Sequence, residues 1–191
     1  MLEQSPPPQA PPEITPRMRA NARANPGTWL YVVDPAFDAD ADVPPHGVVG
    51  AYPVDERGEI GAAFRPNAAY RPSPAALRMP EPASGLERLL QLIRVGHTDQ
   101  ATLPAAVLLA PLLLYASSPA DRSVVGFPDR RGTVLVPACT SVACVPSAWP
   151  AWRQVTGREL VPLLADRPLV INPAGPITAL LPAVQLRQAS G

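Results

Sequence analysis

Two histidines, two cysteines and sixteen carboxylates are the side chains from which this 191-residue chain could build a catalytic or metal site. Nucleophilic hydrolysis needs a Ser or Cys activated by a base in reach, yet there is no Gly-x-Ser-x-Gly elbow and neither His46 nor His97 lies in a motif. His46 follows two prolines in an expected loop, and His97 sits just past an expected helix end, where an imidazole meets the helix dipole favourably. Cys139 and Cys144 have four residues between them, wider than the usual zinc pair, and no second Cys/His pair follows to complete four ligands. Asp38-Ala-Asp-Ala-Asp42 opens like a calcium loop, but its sixth position is Val43 instead of glycine and its twelfth is Val49 instead of glutamate. No Gly-x-Gly-x-x-Gly and no Walker loop is present to cradle a phosphate. The expectation is two thiols, no metal and no cofactor. An enzyme would have to bring together carboxylates far apart in sequence, such as Asp34, Glu59 and Glu159.

A different chemistry, that of recognition, is suggested by Arg65, Asn67, Tyr70, Arg71 and Ser73, which are interleaved with Pro66, Pro72 and Pro74. Prolines hold the backbone extended and stiff, and arginine and tyrosine are the residue types that dominate interface hot spots. These five residues are the candidate partner-binding surface. The alternative for the same string is a packing strap, with Tyr70 against a neighbouring hairpin and the arginines paired with local carboxylates. A second candidate is a ligand cleft at the turn Asn172-Pro-Ala-Gly-Pro176, with Asn172 and Gly175 at a strand end, where ligands commonly gather.

The elements that must position these residues alternate irregularly. Trp29 to Val33 is aromatic and β-branched and predicts a strand. Gly47 to Val54 and Glu59 to Phe64 flank Asp55-Glu-Arg-Gly58 as a β-hairpin, and the proline-punctuated run to Pro82 is an ordered loop. Ser84 and Glu87 form a capping box before Leu86, Leu89, Leu90 and Ile93, and Gly96 stops that helix. A short helix and the strand Leu112 to Tyr115 follow. A second hairpin then turns at Asp129-Arg-Arg-Gly132 into Thr133 to Cys139. Thr156 and Glu159 repeat the capping-box spacing before a helix that Pro162 weakens. Leu169 to Asn172 and Ile177 to Leu181 read as strands, with a last helical turn behind them.

The fold class is therefore α+β: a mixed, mostly antiparallel sheet with a few short helices. Ahead of it lies a proline-rich tail, residues 1–25, with five prolines within Ser5 to Pro12 and too little apolar surface to order itself. Pro-Pro-Pro-Gln-Ala-Pro-Pro could take up polyproline II and dock on an aromatic groove, but without flanking basic residues it reads as a linker. Residues 26–83 form a hairpin and loop segment, and residues 84–191 an α+β domain. A lone hairpin is too small to be stable, so the two are expected to pack as one ordered unit.

All sixteen basic residues are arginine and sixteen carboxylates balance them, so no net field attracts nucleic acid or an anionic membrane. The N-terminus lacks the basic start and apolar stretch of a secretory signal, which points to the cytoplasm, where both cysteines would stay thiols. Ala101 to Ala120 is uncharged and long enough to span a bilayer, but Pro104, Pro111 and Pro119 break it into a helix and a strand.

The order of Leu112 to Tyr115, Val134-Leu-Val-Pro-Ala-Cys-Thr-Ser141, Trp149, Gly157-Arg-Glu-Leu160 and Val170-Ile-Asn-Pro-Ala-Gly-Pro176 resembles the SseB N-terminal domain family over roughly Ser84 to Gln188. Asn25-Pro-Gly-Thr-Trp29, Asp34-Pro-Ala-Phe37, Gly47 to Val54 and Arg65 to Pro74 are similar to actinobacterial proteins described as type VII secretion system-associated. Those resemblances imply association with a secretion locus and supply no catalytic residues. The function expected is that of a cytoplasmic, non-catalytic accessory protein with a protein partner, a type VII secretion component or substrate. The alternative is a small-molecule- or peptide-binding regulatory domain using the cleft at Asn172 and Gly175.

Overall fold

A computed structural model describes residues 11–190. The chain divides into two compact units, residues 1–78 and 79–191.

In the first unit, helix α1 (Pro16–Ala24) precedes strands β1 (Trp29–Val33), β2 (Val48–Pro53) and β3 (Arg65–Pro66). The three strands make an antiparallel sheet in the order β1-β2-β3. Helix α1 starts where Thr15 accepts a hydrogen bond from the Met18 amide and Pro16 takes the first helical position, where its missing N–H costs nothing. Ile14, Met18 and Ala22 line one side of this segment and pack on Leu30, Tyr52 and Val54. The Tyr52 hydroxyl donates to the Pro12 carbonyl oxygen at 2.7 Å. Residues 11–25 thus depart from the expected disordered tail. Three apolar side chains at helical spacing suffice once a sheet is there to receive them; residues 1–10 lie outside the described residues.

The hairpin turn forms as expected, with Gly58 at φ 77°, a conformation that favours glycine. Its second arm does not: Val54 bridges to Ile60, and the partner of β2 is β3.

The second unit holds helices α2 (Gly85–Arg94) and α3 (Leu103–Leu109), strands β4 (Pro111–Ala116), β5 (Phe127–Pro128), β6 (Val134–Cys139) and β7 (Ala151–Thr156), helix α4 (Gly157–Leu160), strands β8 (Leu169–Ile171) and β9 (Ala179–Leu181), and helix α5 (Ala183–Ser190). Its sheet runs β7-β4-β6-β8-β9, with β5 paired to β6; only β6 and β8 are parallel. The α+β class with a mixed, mostly antiparallel sheet is therefore observed. The uncharged stretch becomes α3 and β4, and among the described residues no helix is long and apolar enough to cross a membrane. Pro162 ends α-helical geometry at Leu160 and leaves a single tighter turn over Val161–Leu163.

Alternation along the strands decides what each face carries. Leu112 and Leu114 of β4, Val136 and Ala138 of β6, Leu169 and Ile171 of β8 and Leu181 of β9 point to one side. There they pack with Leu86, Leu90, Val107, Leu108, Leu160 and Leu186 from the helices. The helices come this close at one point through Gly157: a β-carbon there would lie 2.0 Å from the Val107 carbonyl oxygen. The α-helices of this unit belong to this one layer, and the opposite face of the sheet carries loops and a single 3-10 turn, Val142–Cys144, whose Cys144 packs on Leu113 and Cys139.

Candidate functional site

The recognition string lies in the first unit and turns most of its polar groups inward. Asp34, just after β1, is fully buried, and its carboxylate accepts four hydrogen bonds. They come from the Ser73 hydroxyl (2.5 Å), the Ser73 amide (2.9 Å), the Ala36 amide (2.9 Å) and the Tyr70 hydroxyl (2.8 Å). Burial alone would raise the acid's pKa; the donations from Ser73, Ala36 and Tyr70 outweigh it and hold Asp34 below its ordinary value. Burial, followed by the bond to that carboxylate, pushes Tyr70 well above the usual tyrosine range. Asn67 donates through Nδ2 to the carbonyls of Pro45 (2.7 Å) and Val48 (2.8 Å). Asn67, Tyr70 and Ser73, expected to face a partner, are thus occupied in tying the loop down around a buried anion, the strap alternative. Of the two arginines, the Arg65 guanidinium lies 4.6 Å over the exposed Trp29 ring, and Arg71 stands at the surface.

Asn172 and Gly175 build a second closed cluster, in the second unit. Thr140 and Asn172 immediately follow the parallel strands β6 and β8, so both strands end beside the first turn of α2. Asn172 adopts φ 49°, a left-handed conformation that asparagine tolerates better than most residues. Its Oδ1 accepts from the Thr140 amide (2.9 Å) and its Nδ2 donates to Thr140 Oγ1 (2.8 Å), while Thr140 Oγ1 donates to Glu87 Oε1 (2.6 Å). Glu87, expected to cap Ser84, instead accepts from the Ala83 amide (2.7 Å) as Ser84 caps Glu87. Burial alone would raise the Glu87 pKa, but the hydrogen bonds it accepts, that from Thr140 foremost, outweigh this and leave it below the usual value. Gly175 packs under Asn172, with its amide donating to the Asn172 carbonyl at 2.9 Å. The cavity beside Glu87, Cys144 and Asn172 has a volume of about 30 Å³, room for a water or two and far below the ~300 Å³ of a small-molecule pocket. The expected ligand cleft is a filled polar joint: the strand ends that might gather a ligand spend their polar groups on each other.

Several of the remaining chemical candidates have structural employment. Cys139 and Cys144 are free and buried. Burial first, and the neighbouring Cys144 second, push the Cys139 thiol up to about 11, and that thiol donates to the Cys144 carbonyl. Glu159 completes the capping box of α4 with Thr156, and Asp38 accepts from the Asp40 amide in its own loop. Among the described residues no three His, Cys, Asp or Glu side chains converge on a point that could hold a metal.

What stays open is the loop-side face of the second sheet, which the sequence reading did not single out. Tyr115 of β4, Leu135 and Pro137 of β6 and Val170 of β8 point there, joined by Phe127 and Pro128 of β5 and by Trp149 and Pro173 from loops. Together they line a groove of about 520 Å³. Phe127 and Trp149 both pack edge-on against Tyr115, with ring centroids at 5.2 and 5.7 Å. Below the groove, Leu113, Cys139, Cys144 and Val145 form a small apolar base with Trp149. Directly paired residues of neighbouring strands share a face, which places Trp152 beside Tyr115 and Leu180 beside Val170. Phe127, Trp152 and Leu180 are 42%, 41% and 56% exposed. The signal available in the sequence was that Phe127 and Trp149 each stand immediately before a proline, outside any long apolar run that would bury a bulky ring. Comparison with family models, with curated proteins and with solved structures yields no match to this chain.

Proposed function

We propose that this protein is a non-catalytic interaction protein of the cytoplasm whose binding surface is the open face of the second sheet. The observation that carries the reading is the aromatic groove at Tyr115, Phe127 and Trp149, continued by exposed Trp152 and Leu180 on the same face. Contiguous apolar surface of this kind is what soluble proteins expose where they bind others. The non-catalytic reading is supported by the employment of two of the three candidate acids: Asp34 carries four donors and Glu159 caps a helix, and the half-buried Glu87 is likewise held by Thr140 and Ala83. The partner class we propose, a component or substrate of a type VII secretion system, follows from the resemblance of the first unit's sequence to proteins associated with such systems.

The test is affinity capture from the native host with the wild-type chain and with a Phe127→Ala, Trp149→Ala double variant. Specific partners identified by mass spectrometry should be recovered by the first and lost, at least tenfold, by the second. Undiminished recovery by the double variant, or its loss in an Arg65→Ala, Arg71→Ala variant instead, would move the binding surface to the first unit's loop.

A further inference from the structure

The groove's lining indicates what kind of chain enters it. We infer that it takes a short proline-rich segment of a partner protein, in polyproline II conformation, with a basic residue placed at Asp129. This deepens the proposed function and rests on the groove being the binding surface.

Three observations carry the inference. The first is size. Ten residues line the groove, whereas a standard protein interface engages about 20–30 residues on each side, so a second copy or a globular partner seated there would leave most of its own contact surface unused. A linear segment of a few residues matches it. The second is the chemistry of the walls. Phe127 and Trp149 stand edge-on to Tyr115, so the rings form ridges and not a flat plate, and Pro128, Pro137 and Pro173 fill the wall between them. Rigid pyrrolidine rings recur about every 9 Å along one side of a polyproline II helix, three residues per turn. Aromatic troughs of this kind are how protein surfaces receive such helices, because the ligand is ordered before it binds and loses little entropy. The backbone of a polyproline II segment forms no internal hydrogen bonds and remains solvated on its outer side, which a shallow open groove permits and a closed pocket does not.

The third is charge. Asp129 is the one charged residue lining the groove. Its Oδ1 is held by the amides of Arg131 and Thr133 in the β5–β6 turn, which fixes the carboxylate at one end. The exposed Arg130 and Arg131 of the same turn are not among the lining residues, so within the trough itself the one charge is an anion, which favours a ligand with a cation at that point and so gives the segment a direction. The chain's own Ser5 to Pro12 stretch has the prolines but no flanking arginine, which makes it the poorer occupant.

The experiment titrates the full chain with the peptide Ala-Pro-Pro-Ala-Pro-Pro-Arg, followed by amide NMR and calorimetry, beside a version ending in glutamate. Saturable binding with shifts centred on Tyr115, Phe127 and Trp149 is expected. Phe127→Ala and Trp149→Ala should each weaken it at least tenfold. Asp129→Asn should cost two- to fivefold toward the arginine peptide and abolish its advantage over the glutamate peptide, the range of a solvent-exposed ion pair. Thermal melts of each variant establish that it is folded, and Phe127, the most exposed of the rings, is the variant least able to disturb the core. No saturable binding, or binding indifferent to Phe127→Ala, overturns the inference. A tenfold gain in peptide affinity on removing residues 1–10 would make the chain's own tail the occupant, and a concentration-dependent dimer lost in Phe127→Ala would make it a second copy; either result overturns the partner-segment assignment. If the peptide fails while affinity capture still depends on Phe127 and Trp149, the proposed function stands and only the ligand class falls.

Discussion

At the scale of single residues, Asp34 shows how a side chain that sequence reading would reserve for catalysis is consumed by architecture. A buried carboxylate without a cation is tolerable only when hydrogen-bond donors surround it, and Ser73, Ala36 and Tyr70 supply four. The Tyr70 to Ser73 part of the loop is therefore anchored on one charge. Because the folded pKa of Asp34 lies below its unfolded value of about 3.9, its contribution is fully present above that pH. It is lost as the pH falls through the folded value. Ser73→Ala removes the shortest donor; we expect a loss of about 1.5–3 kcal/mol at neutral pH, and an acid-unfolding midpoint moved to higher pH. Urea titrations at neutral and acidic pH read both effects. A variant that loses no stability at neutral pH would show that the carboxylate is held by its other donors.

At the scale of elements, the second unit depends on how closely α4 approaches α3. The Gly157 α-carbon faces the Val107 carbonyl at a distance that admits no side chain, and a backbone carbonyl cannot rotate aside as a flexible side chain could. In isolation Gly→Ala within a helix would stabilise by up to about 1 kcal/mol. Here steric overlap dominates, and we expect Gly157→Ala to destabilise by about 3 kcal/mol, measured as a lower urea midpoint with unchanged slope. An unchanged midpoint would mean that α4 can move away from α3 without cost. The same element illustrates local determinism: Thr156 and Glu159 exchange hydrogen bonds across the helix start, as their spacing predicts.

At the scale of the whole molecule, the division at residue 78 bears on stability. The expectation of a single ordered unit rested on a hairpin too small to stand alone. What the hairpin has in place of a larger partner is α1, whose Ala22 and Met18 cover Leu30 and Tyr52, together with the loop anchored on Asp34. Both lie within residues 1–78, so the first unit has its own core. Limited proteolysis should accordingly cut between Pro74 and Ser84 and leave two protected fragments. Simultaneous decay of both fragments after that first cut would instead show one cooperative unit.

By itself the sequence determined the local elements. Strand β1, helix α2 with its Ser84 cap, the turns at Gly58 and Gly132 and the break at Pro162 are all written in residues within a few positions of one another, because capping, left-handed turns and proline geometry are short-range effects. The uncharged run through Ala120 was resolved correctly by its prolines alone. Helix α1 was not legible, since three apolar side chains at helical spacing acquire meaning only against a sheet that lies far along the chain. Strand β7, whose burial alternates evenly, was missed because Ala151-Trp-Arg-Gln-Val-Thr156 carries only three apolar side chains and becomes a strand by pairing along all of β4. The candidate sites depended most on tertiary structure. Whether Tyr70 and Ser73 face a partner or a buried carboxylate is decided by Asp34, nearly forty positions away, and whether Asn172 opens a cleft is decided by Thr140 and Glu87. The aromatic groove gathers Tyr115, Phe127 and Trp149 from three separate segments, and it exists because the α-helices of that unit settle on the opposite face of the sheet.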